Sequence, residues 1–169
     1  QIACRNGHLD VVKLILKHSD KIELNARNRR SGKTAFIHAC TFGHKDVVEL
    51  FLSYPNIELN ARSSSGVTGF MLACNNGHKD VVKLLLNHSE RIDLNARNNN
   101  GGDTAFMIAC KKGHKDAVEL LLDHSERIDL NARNTYGRTA FMIACQRGNK
   151  DLVKLLLDHS EVVDIKVPE

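Results

Sequence analysis

Five cysteines, Cys4, Cys40, Cys74, Cys110 and Cys145, recur at intervals of 36, 34, 36 and 35 residues, each directly after an alanine. Four of them close near-identical segments: Thr34-Ala-Phe-Ile-His-Ala-Cys40, Thr68-Gly-Phe-Met-Leu-Ala-Cys74, Thr104-Ala-Phe-Met-Ile-Ala-Cys110 and Thr139-Ala-Phe-Met-Ile-Ala-Cys145. Self-similarity at a fixed period near 35 residues restricts the chain to a tandem array of supersecondary units. The length of 169 residues, about one ordinary domain, therefore divides among short units instead of feeding one core.

Each period carries its signals in one order. Asn131-Ala-Arg-Asn-Thr-Tyr-Gly137 reads as a turn, and Thr139 offers an N-cap hydroxyl to the apolar stretch that follows. Gly148 stops this first helix. Asp151 opens a second apolar run, Leu152-Val153-Lys154-Leu155-Leu156-Leu157, with its carboxylate at the positive end of the helix dipole. Both helices are shorter than the roughly 12–15 residues that give marginal stability alone. They must stack on neighbouring units, so stability is close to a sum of unit and nearest-neighbour terms.

The repeated unit resembles the ankyrin repeat, whose usual first-helix motif is Thr-Pro-Leu-His with two small residues, followed by Gly-His and a Val-Val-x-Leu-Leu-Leu helix. Gly7-His8, Gly43-His44, Gly77-His78 and Gly113-His114 match the inter-helix turn, with Asn149 in the last copy, and Val81-Val82-Lys83-Leu84-Leu85-Leu86 matches the second helix. The similarity covers essentially the whole chain. It implies an all-α solenoid of stacked helix-turn-helix units joined by β-turn or hairpin-like loops. The repeats are expected to divide as a truncated 1–24, then 25–59, 60–94, 95–130 and 131–169, within one domain expected to be an excerpt of a longer array or to have its ends covered. End-to-end self-association through uncapped terminal repeats follows as an expectation.

This sequence also departs from the family pattern. The motif Pro is Ala35, Gly69, Ala105 or Ala140, and the motif His is Ile37, Met71, Met107 or Met142, so an apolar column is expected to replace the usual hydrogen bonds by packing. The connection after the second helix, such as Asn87-His-Ser-Glu-Arg-Ile-Asp-Leu94, is about two residues longer than the family norm.

Several chemistries are set aside by the same periodicity. Stacked equivalents lie roughly 8–10 Å apart, beyond the roughly 7 Å Cα limit of a disulfide, so the cysteines are expected to stay reduced and act as small buried hydrophobes. That usage fits a cytoplasmic or nuclear chain. The nine histidines fall in two columns, in the turn (His8, His44, His78, His114) and at the end of the second helix (His18, His88, His124, His159), with His38 alone; the expectation is caps and no metal site. No unique activated nucleophile or nucleotide-binding motif is present, so neither catalysis nor a cofactor is expected. The longest apolar runs, six residues, are far below the roughly 20 that span a bilayer.

Two further columns need separate readings. Lys13, Glu49, Lys83, Glu119 and Lys154 alternate in sign, but opposite charges about 10 Å apart in water gain only about 0.4 kcal/mol, so they make no binding site. Asn25, Asn60, Asn95 and Asn131 read as turn residues bonding nearby backbone. The family resemblance adds an alternative: an ankyrin Asn behind an acidic residue can be a substrate of asparaginyl β-hydroxylation.

By the same resemblance, turn tips and the inner face of the first helix line a concave groove. The residues that vary between units fall there: Arg5, Arg29, Arg30, Lys33, Thr41, Phe42, Asn75, Asn76, Asp103, Lys111, Lys112, Tyr136, Arg138, Gln146 and Arg147. Eight are cationic and one anionic, a sum of +7 within a chain whose net charge is +4, so the remainder carries −3. A fixed scaffold with one varied face is what a binding module requires. The expected function is a non-catalytic protein-interaction module or scaffold that docks another protein, as an acidic extended segment, without a small-molecule substrate. Nucleic-acid or anionic-surface binding by the same face is the alternative, weakened by the lack of interleaved aromatics.

Overall fold

The computed structural model describes residues 1–18 and 21–166. Each unit contributes two short antiparallel helices: α1 (Ile2–Arg5) and α2 (Leu9–Leu16), α3 (Ala35–Phe42) and α4 (Lys45–Leu52), α5 (Gly69–Asn75) and α6 (Lys79–Leu86), α7 (Ala105–Lys112) and α8 (Lys115–Leu122), and α9 (Ala140–Gln146) and α10 (Lys150–Asp158). The first helices stack in the order α1, α3, α5, α7, α9, and the second helices form an outer layer behind them. Among the described residues there is no strand and no helix long and apolar enough to cross a membrane.

Local sequence explains each boundary. Thr34, Thr68, Thr104 and Thr139 cap the first helices, each hydroxyl accepting the N–H three residues on, at 3.3–3.4 Å. The helices end at or next to glycines with left-handed backbone, such as Gly113 at φ 83°, where a β-carbon would be strained. Asp46, Asp80, Asp116 and Asp151 lie in the first turns of the second helices, where the dipole favours a carboxylate. At the other end, His124 and His159 place Nδ1 2.9 Å from the carbonyls of Leu120 and Leu155, as expected of terminal caps.

The core is a continuous seam between units. Phe36, Phe70 and Phe106 are at most 2% exposed, and the column of Ile37, Met71 and Met107 packs beside them at 1% or less, filling the place of the family's histidine. Cys40, Cys74 and Cys110 are fully buried, and burial pushes their thiols far above the ordinary range, which makes them inert. All five cysteines are free, but Cys145 differs from the expected pattern in being exposed. Cys40 Sγ lies against the following unit, 3.0 Å from where a Gly69 β-carbon would sit; among the described residues nothing occupies the corresponding place for Cys145.

The connecting segments form hairpin-like tips. Asn28, Ser63, Asn98 and Asn134 donate backbone N–H groups across their turns to the carbonyls of Lys33, Val67, Asp103 and Arg138 at 2.9–3.1 Å. Neighbouring tips are laced together as well: Ser64, Asn99 and Thr135 donate to the carbonyls of Ser31, Ser65 and Gly101. The tips at 28–33 and 98–103 are one residue longer than those at 63–67 and 134–138, and Ser53-Tyr54-Pro55-Asn56 shortens one outer connection, which together produce the uneven period.

Candidate functional site: the groove between tips and first helices

Three ladders of polar side chains join each unit to the next and fix the spacing of the stack. The turn histidines do not cap their own helices. Instead His44, His78 and His114 reach back one unit, placing Nε2 2.8–2.9 Å from the carbonyls of Arg5, Thr41 and Asn75. Asn149, in the same column, accepts the Leu152 N–H and caps its own helix.

The asparagine column likewise bonds across units and not locally. Asn95 Nδ2 donates to the Arg127 carbonyl at 2.9 Å while its Oδ1 accepts the Asp129 N–H at 2.8 Å; Asn25, Asn60 and Asn131 make the same two-point clasp. Both ends of each amide are thus occupied. An asparaginyl hydroxylase must work against this clasp, since its target side chain is tied to the next outer connection.

The third ladder is one that sequence reasoning missed, although its signal stands there as Asn-Ala-Arg at 25–27, 60–62, 95–97 and 131–133. Arg27, Arg62 and Arg97 each donate a guanidinium N–H to the backbone carbonyl of the next arginine in the column. Arg91 similarly donates to the carbonyls of Leu52 and Tyr54. A hollow of about 600 Å³ lies beside Arg27, Arg62 and Arg91, next to the shortened connection at Pro55, and its arginines are already committed to carbonyls.

The candidate partner-binding residues divide into structural and free groups. Asp103 is buried rather than presented for recognition: its carboxylate accepts from Asn134 at 2.7 Å and pairs with Lys111 at 3.3 Å. Thr41 donates its hydroxyl to the Ile37 carbonyl, and Asn76 donates to the Thr41 carbonyl, so both fasten helix ends. Asn75 donates to the Asn76 side chain, and Arg138 donates to Gln146 at 2.7 Å. Arg147 and Lys112 are exposed.

The remaining cations gather at the first two units. Arg5, Arg29 and Arg30 are exposed and Lys33 is half-buried, and among the described residues none pairs with a carboxylate. Burial, then the nearby Arg5 charge, lowers the Lys33 ammonium below its ordinary range. Phe42, 44% exposed, lies under the Arg5 guanidinium at 5.4 Å and beside the His44 ring. Tyr136, 72% exposed, carries Arg138 at 5.9 Å. Among the described residues no group of three or more His, Cys, Asp or Glu side chains is placed to hold a metal ion.

His38 stands in the inner-face column otherwise occupied by Leu72, Ile108 and Ile143, and its buried Nδ1 has no hydrogen-bond partner. Desolvation, then the charges of Lys33 and Arg5 among others, lowers its pKa below the usual value near 6.5. The unfolded chain therefore binds a proton more readily than the folded one just below pH 6.5, and His38 costs stability increasingly as the pH falls through that window. His38→Leu is expected to raise stability by about 1–2 kcal/mol at pH 7 by removing an unsatisfied buried polar atom. The gap between variant and wild type should widen at pH 5. Urea melts at pH 5 and 7.5 check this, and a gap that narrows at low pH refutes it.

A helical solenoid with packing-fixed columns and one varied inner face defines a repeat module for protein–protein interaction. A family model described as ankyrin repeats in three copies matches residues 1–63 and 55–134, and the single ankyrin repeat matches 136–167. The chain belongs to the ankyrin repeat family. It is similar to osteoclast-stimulating factor 1 of Danio rerio, 41% identical over 58 residues, which is 34% of this chain and 26% of that protein. A probable E3 ubiquitin-protein ligase, XBOS33, of Oryza sativa subsp. japonica is 42% identical over 52 residues, 31% of this chain and 9% of the ligase. The chain thus spans about a quarter of the first relative's length and far less of the second's.

Proposed function

We propose that this module docks an acidic, extended segment of another protein in its groove, with no chemistry of its own. The observation that carries this reading is the group of cations without carboxylate partners among the described residues, Arg5, Arg29, Arg30 and Lys33 in the first two units and Lys112, Arg138 and Arg147 beyond them, on a face whose surrounding scaffold is repeated almost unchanged. Like charges held close together repel, and an incoming anion relieves that repulsion.

The test is binding of a labelled Glu/Asp-rich peptide by fluorescence anisotropy. A variant combining Arg29→Glu, Arg30→Glu and Lys33→Glu is expected to weaken binding at least tenfold, and equal affinity for both proteins overturns the proposal. Single-stranded oligonucleotide binding tests the other occupant. It should fall steeply with salt and ignore Phe42→Ala, whereas a protein segment anchored by an aromatic loses about 1 kcal/mol or more on that truncation.

A further inference from the structure

The groove changes character along its length. Its first two units are cationic, at Arg5, Lys33 and the Arg29–Arg30 tip, with the Phe42 ring beneath Arg5. From α5 onward the inner column becomes apolar, at Leu72, Ile108 and Ile143, and Lys111 is paired with Asp103, while Lys112, Arg138 and Arg147 have no carboxylate partner among the described residues. There a cavity of about 250 Å³ opens between units three and four. Its floor is Val67, Leu72 and Ile108, and its rim carries the amides of Asn75 and Asn100 together with Lys111 and Lys112.

The long tip at 98–103 creates this cavity. Gly101 at φ 112° and Gly102 at φ 70° turn the chain through conformations that side chains disfavour, and Asp103 is pulled inward by Asn134 and Lys111. Asn98 and Asn100 are thereby placed as one wall and α5 and α7 as the other. An open hollow with an apolar floor and a polar rim can seat an aliphatic side chain, with the amides available to the backbone on either side of it.

We infer that the segment recognised is bipartite, with an acidic pair held at Arg5 and Lys33 and a single aliphatic anchor seated between Leu72 and Ile108. This rests on the groove reading above and adds a sequence pattern to it. The two sites are separated by about two units, or roughly 16–20 Å at the usual helix-packing distance of about 8–10 Å. An extended chain rises about 3.3 Å per residue, so the acidic pair and the anchor are about five or six residues apart.

The probes are labelled 14-residue peptides in a Gly/Ser/Ala background, each with Asp-Asp and one Leu separated by five residues, in both sequence orders, titrated into the intact chain. One order is expected to bind at least tenfold tighter than its Leu→Ala version, its Asp→Asn version and a version with a one-residue spacer. On the protein side, Leu72→Ala and Asn100→Trp should each abolish the advantage of Leu over Ala in the peptide. Asn100 is exposed at the tip, so filling the cavity from there leaves the packed core intact even where Leu72→Ala disturbs it. Tight binding that is indifferent to the Leu and to the spacing overturns the bipartite pattern while the basic groove stands. Indifference to Asp→Asn overturns the groove reading and this inference with it.

Discussion

Phe106→Ala is expected to remove about 3–5 kcal/mol of stability, among the largest losses one side chain can give. Phe106 is 1% exposed in α7, and α7 packs against the first helices on both sides, so the substitution opens a void in the middle of the stack. In a linear array each unit is held mainly by its neighbours. A cavity in the middle therefore weakens the coupling of units one to three with unit five, beyond the local packing it deletes. Domains of this size usually have about 5–15 kcal/mol in all, so the melting temperature should fall by roughly 6–20 °C and the transition should broaden as the halves melt separately. Calorimetry and urea titration read both effects. Leu157→Ala is the control, because a side chain 43% exposed has little packing to lose. A Phe106→Ala transition as sharp as wild type and shifted by less than about 1 kcal/mol would contradict the coupled-stack account.

Gly77→Ala is expected to cost about 2–4 kcal/mol by two routes that a second substitution separates. Gly77 has φ 69°, where a β-carbon alone costs about 1–2 kcal/mol. That carbon would also lie 2.6 Å from His114 Nδ1. The imidazole cannot swing aside freely, because its Nε2 is 2.9 Å from the Asn75 carbonyl and belongs to the ladder joining successive units. Gly148 has nearly the same backbone, φ 66°, but among the described residues nothing lies within 4 Å of where its β-carbon would sit. Gly148→Ala should therefore show the backbone cost alone. Equal losses at the two positions in denaturant melts would mean that the histidine ladder contributes nothing to the interface.

The unit, its two helices and its caps were legible in the sequence. Thr139 before an apolar stretch, Gly148 after it and Asp151 at the next start are local signals, and local backbone chemistry acts on them wherever the unit sits. The Phe and Ile/Met columns were legible for a related reason: a residue repeated at every period meets the same neighbour in every unit. Which residues vary on the repeated scaffold was legible too, since such residues sit where packing does not restrict them.

What the sequence did not disclose is which polar groups stay exposed and which bond to the next unit. Asp103 and Lys112 look equally available in the chain, yet Asp103 is consumed by Asn134 and Lys111 while Lys112 stays exposed. Asn95 reads as a turn residue, but its amide bonds belong to Arg127 and Asp129 of the next outer connection. Cys145 carries the same local sequence as Cys110 and differs only in having no unit over it among the described residues. The sequence by itself determined the repeated unit, because short-range signals and a fixed period suffice for that. Only the tertiary structure decided which polar groups stay free, because that depends on pairings between side chains 30 or more residues apart, such as Asn134 with Asp103.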